Sequence, residues 1–439
     1  MRATGSQYEF RRRTGAVLLA LVACATFGFG AVDSLVWTAI ALAIFAMLAV
    51  WALRKLWRPF PLVTTGLYAA PLALALAAAV QCLSGGSETA YSTSGELLRW
   101  MAHAAFFLVA VNALSDPAVR AFYLRGFVVI VGLAAAVGIC QWLTVPHLVY
   151  WFREAPGAQP FGPFANRDHF AVLIELAFPI ALTSAFRHRT HKLYYFAVAA
   201  LLAAAVAGTH SKAAFAIVAI QAAFLTLLFG SASAKTALRS RRRGPRVLQE
   251  LAGVGLLVCL LLGVGWSVGL LRISSQQGST GLLPDEALTR GEVRQGAIAL
   301  IAEKPWLGHG FGAFRQAFRR FAPRQDGFEW QHAQSDPLEL VVDAGLAGLL
   351  AQVIVLALAL WRARNASAWG FVIAPLAGAW AHSWTTSPLH TPAVALAGLA
   401  LLACLPGLTA RRAVKHARQA ATTPLSAGSS GAIVASAST

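Results

Sequence analysis

Charge is what this sequence is short of. Asp, Glu, Lys and Arg make up 12% of 439 residues, where a soluble domain carries roughly 25%. Acidic residues are scarcer still, 18 against 36 Lys and Arg. No stretch reads as a soluble domain and no internal repeat is visible, so a soluble enzyme is excluded. The cysteines are Cys24, Cys82, Cys140, Cys259 and Cys404. Each lies in or beside an apolar run and none has metal-ligand spacing. They read as small packing residues rather than disulfides or ligands. The glycines of GHGFG at 308–312 follow no strand pattern and precede no P-loop lysine. That argues against a nucleotide site and for a tight turn.

What is abundant is apolar. Hydrophobic residues make up 57% and the mean hydropathy is +0.62. A helix needs about 20 apolar residues to cross a bilayer. By that measure twelve spans are expected, at about 15–31, 34–53, 62–83, 97–114, 126–143, 169–186, 193–209, 212–229, 249–271, 338–360, 370–386 and 391–409. The fold class is therefore an all-α polytopic membrane protein with a large outside loop, 272–337, between spans nine and ten. Arg11, Arg12 and Arg13 precede the first run as in a signal peptide. No small-residue cleavage site follows, so a retained anchor is expected.

The formal charge of +18 could suggest nucleic acid. Its distribution fits membrane topology instead. With the N-terminus in the cytoplasm, every inside segment carries at least two basic residues, and both termini are cytoplasmic. RSRRRGPR, at 239–246, reads as a topology determinant, with anionic-lipid contact secondary. Residues 1–418 form the membrane domain, and 419–439, rich in Ala, Ser, Thr and Gly, a disordered cytoplasmic tail.

Basic residues on the outside run against that bias. They include Arg153, Arg167, Lys212, Arg272, Arg290, Arg294, Lys304, Arg315, Arg319, Arg320 and Arg324. The Arg fork suits phosphate, so a lipid-linked diphosphate fits. For RQAFRRF an amphipathic helix lying on headgroups is the other reading. His332 precedes Gln334, Ser335 and Asp336 where the chain re-enters the membrane. A histidine there can take a proton near neutral pH or hold the loop together. His382, within membrane depth, marks either function or a hydrogen-bonded structural role. GLAG at 345–348 puts small residues on one helix face, which suits close packing.

Four stretches carry a resemblance. GPFANRDHFAVLIELAFPIAL at 162–182 keeps an Asn and a Pro, Asn166 and Pro179, with Asp168 where Asn is usual. GTHSKAAF at 208–215 has Lys212 in place of Arg. RGEVRQGAIALIAEKPWLGHGFGAF at 290–314 keeps Arg290, Pro305, three glycines and Phe314, with Arg294 in place of Trp. HAQSDPLELVVDAGLAG at 332–348 looks like HAHNDYLELxxExGLxG. A late HSWTTSPLHTPA at 382–393 is also similar to a pattern of some members. Together, over about 160–400, these stretches resemble the O-antigen ligase and O-antigen polymerase superfamily.

The resemblance implies a GT-C-like membrane fold in the bacterial inner membrane. It implies transfer of a glycan from undecaprenyl diphosphate to an acceptor hydroxyl on the periplasmic face, without cofactor, nucleotide or metal. The acceptor is lipid A-core for a ligase and a second lipid-linked glycan for an O-antigen or exopolysaccharide polymerase. For a protein O-oligosaccharyltransferase it is a protein Ser. By motif, Lys212 and Arg290, with Arg294 beside them, contact the diphosphate, and His332 activates the acceptor. Asn166, Asp168, Ser335, Asp336 and His382 are the remaining motif positions. Gln334 stands where the family has its second histidine and cannot act as a base, so either His332 takes that role, or this member works differently, or it is inactive. The rival class is a transporter, such as a lipid-linked oligosaccharide flippase. Polar residues gathered in outside loops rather than at the midplane favour an enzyme.

Overall fold

The computed structural model describes residues 5–85, 87, 89–155, 159–188, 190–238, 290–321, 330–363 and 365–409. The expected ninth span, the first part of the outside loop with Arg272, the stretch holding Arg324 and the C-terminal tail lie outside the described residues.

Helix follows helix: α1 (Gly5–Phe27), α2 (Ser34–Trp57), α3 (Ala69–Ser84), α4 (Ala90–Leu114), α5 (Pro117–Thr144), α6 (Arg167–Arg187), α7 (Lys192–Thr209) and α8 (Lys212–Leu238). After them come α9 (Arg290–Glu303), the short α10 (Phe314–Phe318), α11 (Asp336–Arg362), α12 (Ala374–Ser383) and α13 (Pro392–Ala403). A two-residue hairpin, Leu148–Val149 with Arg153–Glu154, is the one paired sheet among the described residues. Nine helices among the described residues are long and apolar enough to cross a membrane. The chain is a multi-pass membrane protein.

Local sequence sets the helix starts. Asp116 accepts from the backbone of Ala118 and Val119, and Pro117 opens α5. Asn166 accepts from the Asp168 backbone N–H at 2.9 Å and caps α6. Two helices depart from the sequence reading. α1 begins at Gly5 and carries Arg11–Arg13 within the helix, because a helix can run on past the apolar layer. The expected eleventh span is a turn at Ala366–Ala368, a π-helical stretch at Trp369–Ile373 and then α12.

α6 is the axis of the bundle. Every residue from Phe170 to Ala185 is buried, as expected for a helix apolar all round and enclosed by its neighbours. It packs on α5, α7, α8, α12 and α13. Gln221 of α8 donates to the backbone carbonyls of Glu175 on α6 and Ala374 on α12. α6, α7 and α8 follow one another through short connections and α6 packs on both of the others, so α7 returns between them, and α6 and α8 run parallel and begin at the same membrane surface. His169 Nδ1 lies 2.7 Å from Thr391 Oγ1, just before α13. Thr391 adjoins His390, which meets Asp336 at the start of α11. The N-terminal ends of α6, α11 and α13 therefore converge.

α9 and α10 form a lobe over that surface, with a core of Val293, Ala297, Leu300, Phe314, Phe318 and Val342. The lobe is fastened to a break in α11. Gly345 has φ 60 and ψ −147 inside that helix. The carbonyls of Val342 and Asp343 accept from the His309 and Gly310 N–H groups, and Leu346 N–H donates to the Pro305 carbonyl. GLAG is thus a docking break rather than a packing face, because Gly345 alone reaches this backbone geometry and any Cβ would meet the Trp306 carbonyl carbon at 2.5 Å. GHGFG is a turn whose amides serve the docking.

Candidate active site

The first turn of α11 supplies two carboxylates on one face, Asp336 and Glu339, spaced i, i+3. His332 Nδ1 lies 2.9 Å from Glu339 Oε1, and the Ala333 N–H donates to Glu339 Oε2 at 2.8 Å. His390 bridges both acids. Its Nδ1 is 2.9 Å from Asp336 Oδ1 and its Nε2 is 3.1 Å from Glu339 Oε1. The Leu389 N–H donates to Asp336 Oδ2. The two imidazole rings lie 4.1 Å apart. Glu339 is buried, while the His332 side chain remains 34% exposed. Burial disfavours charge on His390, but the carboxylates of Glu339 and Asp336 outweigh it and hold its pKa well above the usual 6.5.

Around this cluster lie buried polar atoms without a hydrogen-bond partner among the described residues: Ser335 Oγ, Thr386 Oγ1, Ser387 Oγ and Arg294 Nε. Arg294 Nη2 donates to the Thr385 carbonyl at 3.3 Å, which ties it to the same loop. Buried polar atoms are nearly always bonded, so this set suits a polar ligand. His332 Nε2 has no hydrogen bond to a described residue, on a partly exposed imidazole held through Nδ1 by a buried acid.

The structure brings together His332, Ser335 and Asp336 from the sequence-derived set, and Arg294 is tied to the neighbouring loop at the Thr385 carbonyl. Gln334 lies between them, half-buried, at φ 54. Lys212 is exposed at the start of α8, at the level of the α6 N-terminus, and no described residue bonds it to the cluster. Arg290 opens α9, and its side chain lies outside what is described. Asn166 acts as a helix cap, and Asp168 follows it in the first turn of α6. His382 is apart from the cluster, fully buried, with Nδ1 2.6 Å from Glu175 Oε1. Arg153 is not part of a phosphate cluster, because Asp33 binds it through two hydrogen bonds. Arg320 pairs with Glu303 at 3.1 Å. RQAFRRF forms α10 and a 3-10 turn, with Phe314 and Phe318 buried against α9 rather than in lipid.

Sequence reasoning left Glu339, His390 and His169 out of the site. The i, i+3 acids beside His332 were a signal for Glu339. His390 and His169 reach the site only through tertiary contact. His332, Glu339 and His390 each offer a donor atom, all within 4.8 Å of one another, the one such group among the described residues. Two nitrogens and a carboxylate would suit zinc. The hydrogen bonds already commit these atoms, however: His332 Nδ1 and His390 Nε2 both meet Glu339 Oε1, and His390 Nδ1 meets Asp336.

The O-antigen ligase family model matches residues 197–353. That match supports the O-antigen ligase and polymerase superfamily for this segment of the chain. The match takes in α8, the lobe, His332 and the acids of α11, so the histidine cluster is built largely on the superfamily's own segment. Asn166, His382 and His390 lie outside it. No curated protein matches the chain. Together with the several membrane spans, the match supports a membrane glycosyltransferase-like function in polysaccharide assembly.

Proposed function

We propose that the chain transfers a glycan from undecaprenyl diphosphate to an acceptor hydroxyl, with His332 as general base. The observation that carries this reading is the His332–Glu339 pair: Nδ1 is held at 2.9 Å by a buried carboxylate while Nε2 stays open. Glu339 fixes the ring and stabilises the imidazolium that forms, as the acid of a hydrolytic triad does. The acceptor hydroxyl gives its proton to His332 Nε2 as its oxygen bonds to the anomeric carbon. The bond from that carbon to the phosphate oxygen breaks, and the diphosphate leaves with the electron pair. It needs charge neutralisation rather than an acid. Arg294, with Lys212 and Arg290 at the same surface, supplies cationic charge, and the N-termini of α6, α11 and α13 add the positive ends of their dipoles.

In this reading the site faces the periplasm, both termini are cytoplasmic and the membrane is the bacterial inner membrane. The acceptor is lipid A-core or a second lipid-linked glycan. His332→Ala tests the reading: transfer from a lipid-linked donor in proteoliposomes should vanish while protein level is unchanged. Retained transfer removes His332 from the mechanism. A reporter fused after Gly278 should read as periplasmic, and a cytoplasmic readout overturns the orientation.

A further inference from the structure

At the far end of α1 from the histidine cluster, three arginines line one cleft. It encloses about 90 Å³, and Arg11, Arg54 and Arg58 share its wall with Ser6, Trp51 and Phe60. α1 has 23 residues, a length of about 35 Å. Its C-terminal end leads into Gly30, whose Cβ position would lie 2.9 Å from the Thr391 methyl, beside His169. The cleft and the histidine cluster are therefore separated by about one hydrocarbon thickness, near 30 Å.

The arginines are held in place but not neutralised. Arg54 and Arg58 donate to Ser6 Oγ at 2.8 and 3.4 Å, and Arg11 donates to Ser115 Oγ at 3.5 Å. Arg54 also lies 5.5 Å from the Phe10 ring centroid. Among the described residues no acidic side chain lines the cleft. The two nearby carboxylates are used elsewhere: Glu9 pairs with Arg12, and Asp116 caps α5. Topology alone asks for positive charge at this surface, not for three guanidinium groups turned into one concavity. The aromatic wall of Trp51, Phe60 and Phe10 is what a headgroup-level site carries.

We propose that Arg11, Arg54 and Arg58 form a phosphate-binding site that holds the headgroup of an anionic phospholipid at the membrane surface opposite the histidine cluster. The forks reach phosphate oxygens while the acyl chains lie along the apolar faces of α1 and α2. The site is independent of glycan transfer.

Native mass spectrometry of the full chain, with phosphatidylglycerol, phosphatidylcholine or inorganic phosphate added, tests it. The wild type should keep one phosphatidylglycerol in preference to phosphatidylcholine. Arg54→Gln with Arg58→Gln should weaken that retention about tenfold, the worth of one charge-assisted bond. Arg12→Gln with Arg13→Gln removes the same charge beside the cleft and should leave retention unchanged. Equal losses in the two double variants overturn the site in favour of net charge. Binding of inorganic phosphate without phosphatidylglycerol overturns the lipid headgroup. Should the double variant not fold, Arg11→Gln replaces it, with about threefold loss expected and none overturning the proposal.

Discussion

Glu339 Oε1 accepts from two imidazoles at once, His332 Nδ1 at 2.9 Å and His390 Nε2 at 3.1 Å. One buried carboxylate thus orients the base and also neutralises a second, charged histidine beside it. Glu339→Gln keeps the side-chain volume and removes the charge. Transfer from a lipid-linked donor should fall by about 100-fold or more, with the thermal unfolding midpoint shifted far less than the rate. An unchanged rate would make the pair structural.

The raised pKa of His390 has a consequence for stability. A group that binds its proton more tightly when folded stabilises the fold fully below its unfolded pKa, near 6.5. That contribution disappears as pH rises through the folded value. Wild-type stability should therefore decline as pH rises from about 6.5 through the raised folded value, and His390→Gln should flatten the decline. Melting scans of the two proteins across this range check it.

Gly345→Ala places a methyl against the Trp306 backbone in a conformation that only glycine adopts readily. The cost should be about 3 kcal/mol or more. Limited proteolysis should then cut first within 305–312, the turn that loses its dock.

Asn166→Ala removes the α6 cap and should cost about 1 kcal/mol. Transfer per folded molecule should be unchanged, which separates a motif position that shapes the fold from one that touches the substrate.

His332, Glu339 and His390 together could clasp a cation. With His332 Nδ1 and both His390 nitrogens already engaged with carboxylates, transfer should survive a strong chelator, and added zinc should inhibit by displacing those protons. Loss of activity with chelator, restored by metal, would replace the base mechanism with a metal-assisted one.

Much of the helical frame was legible because an apolar run of span length has few alternatives. The polar start of α1 and the π-helical break at Trp369–Ile373 were not, since neither alters hydropathy. His332 and Asp336 stood out by their place at the membrane boundary. His390 did not join them in the sequence, because its pairing with Asp336 depends on how α13 packs beside α11. Gly345 read as a packing glycine, since a left-handed backbone angle leaves no trace in composition.

The break at Gly345 also constrains how this architecture can diverge. The turn at 305–312 and the half-helix at 336–344 exchange backbone bonds across it. A residue inserted into one would shift every donor past its acceptor in the other. Lengthening keeps these bonds only where both change in step, so the lobe and the acid-bearing half of α11 are locked to a common register.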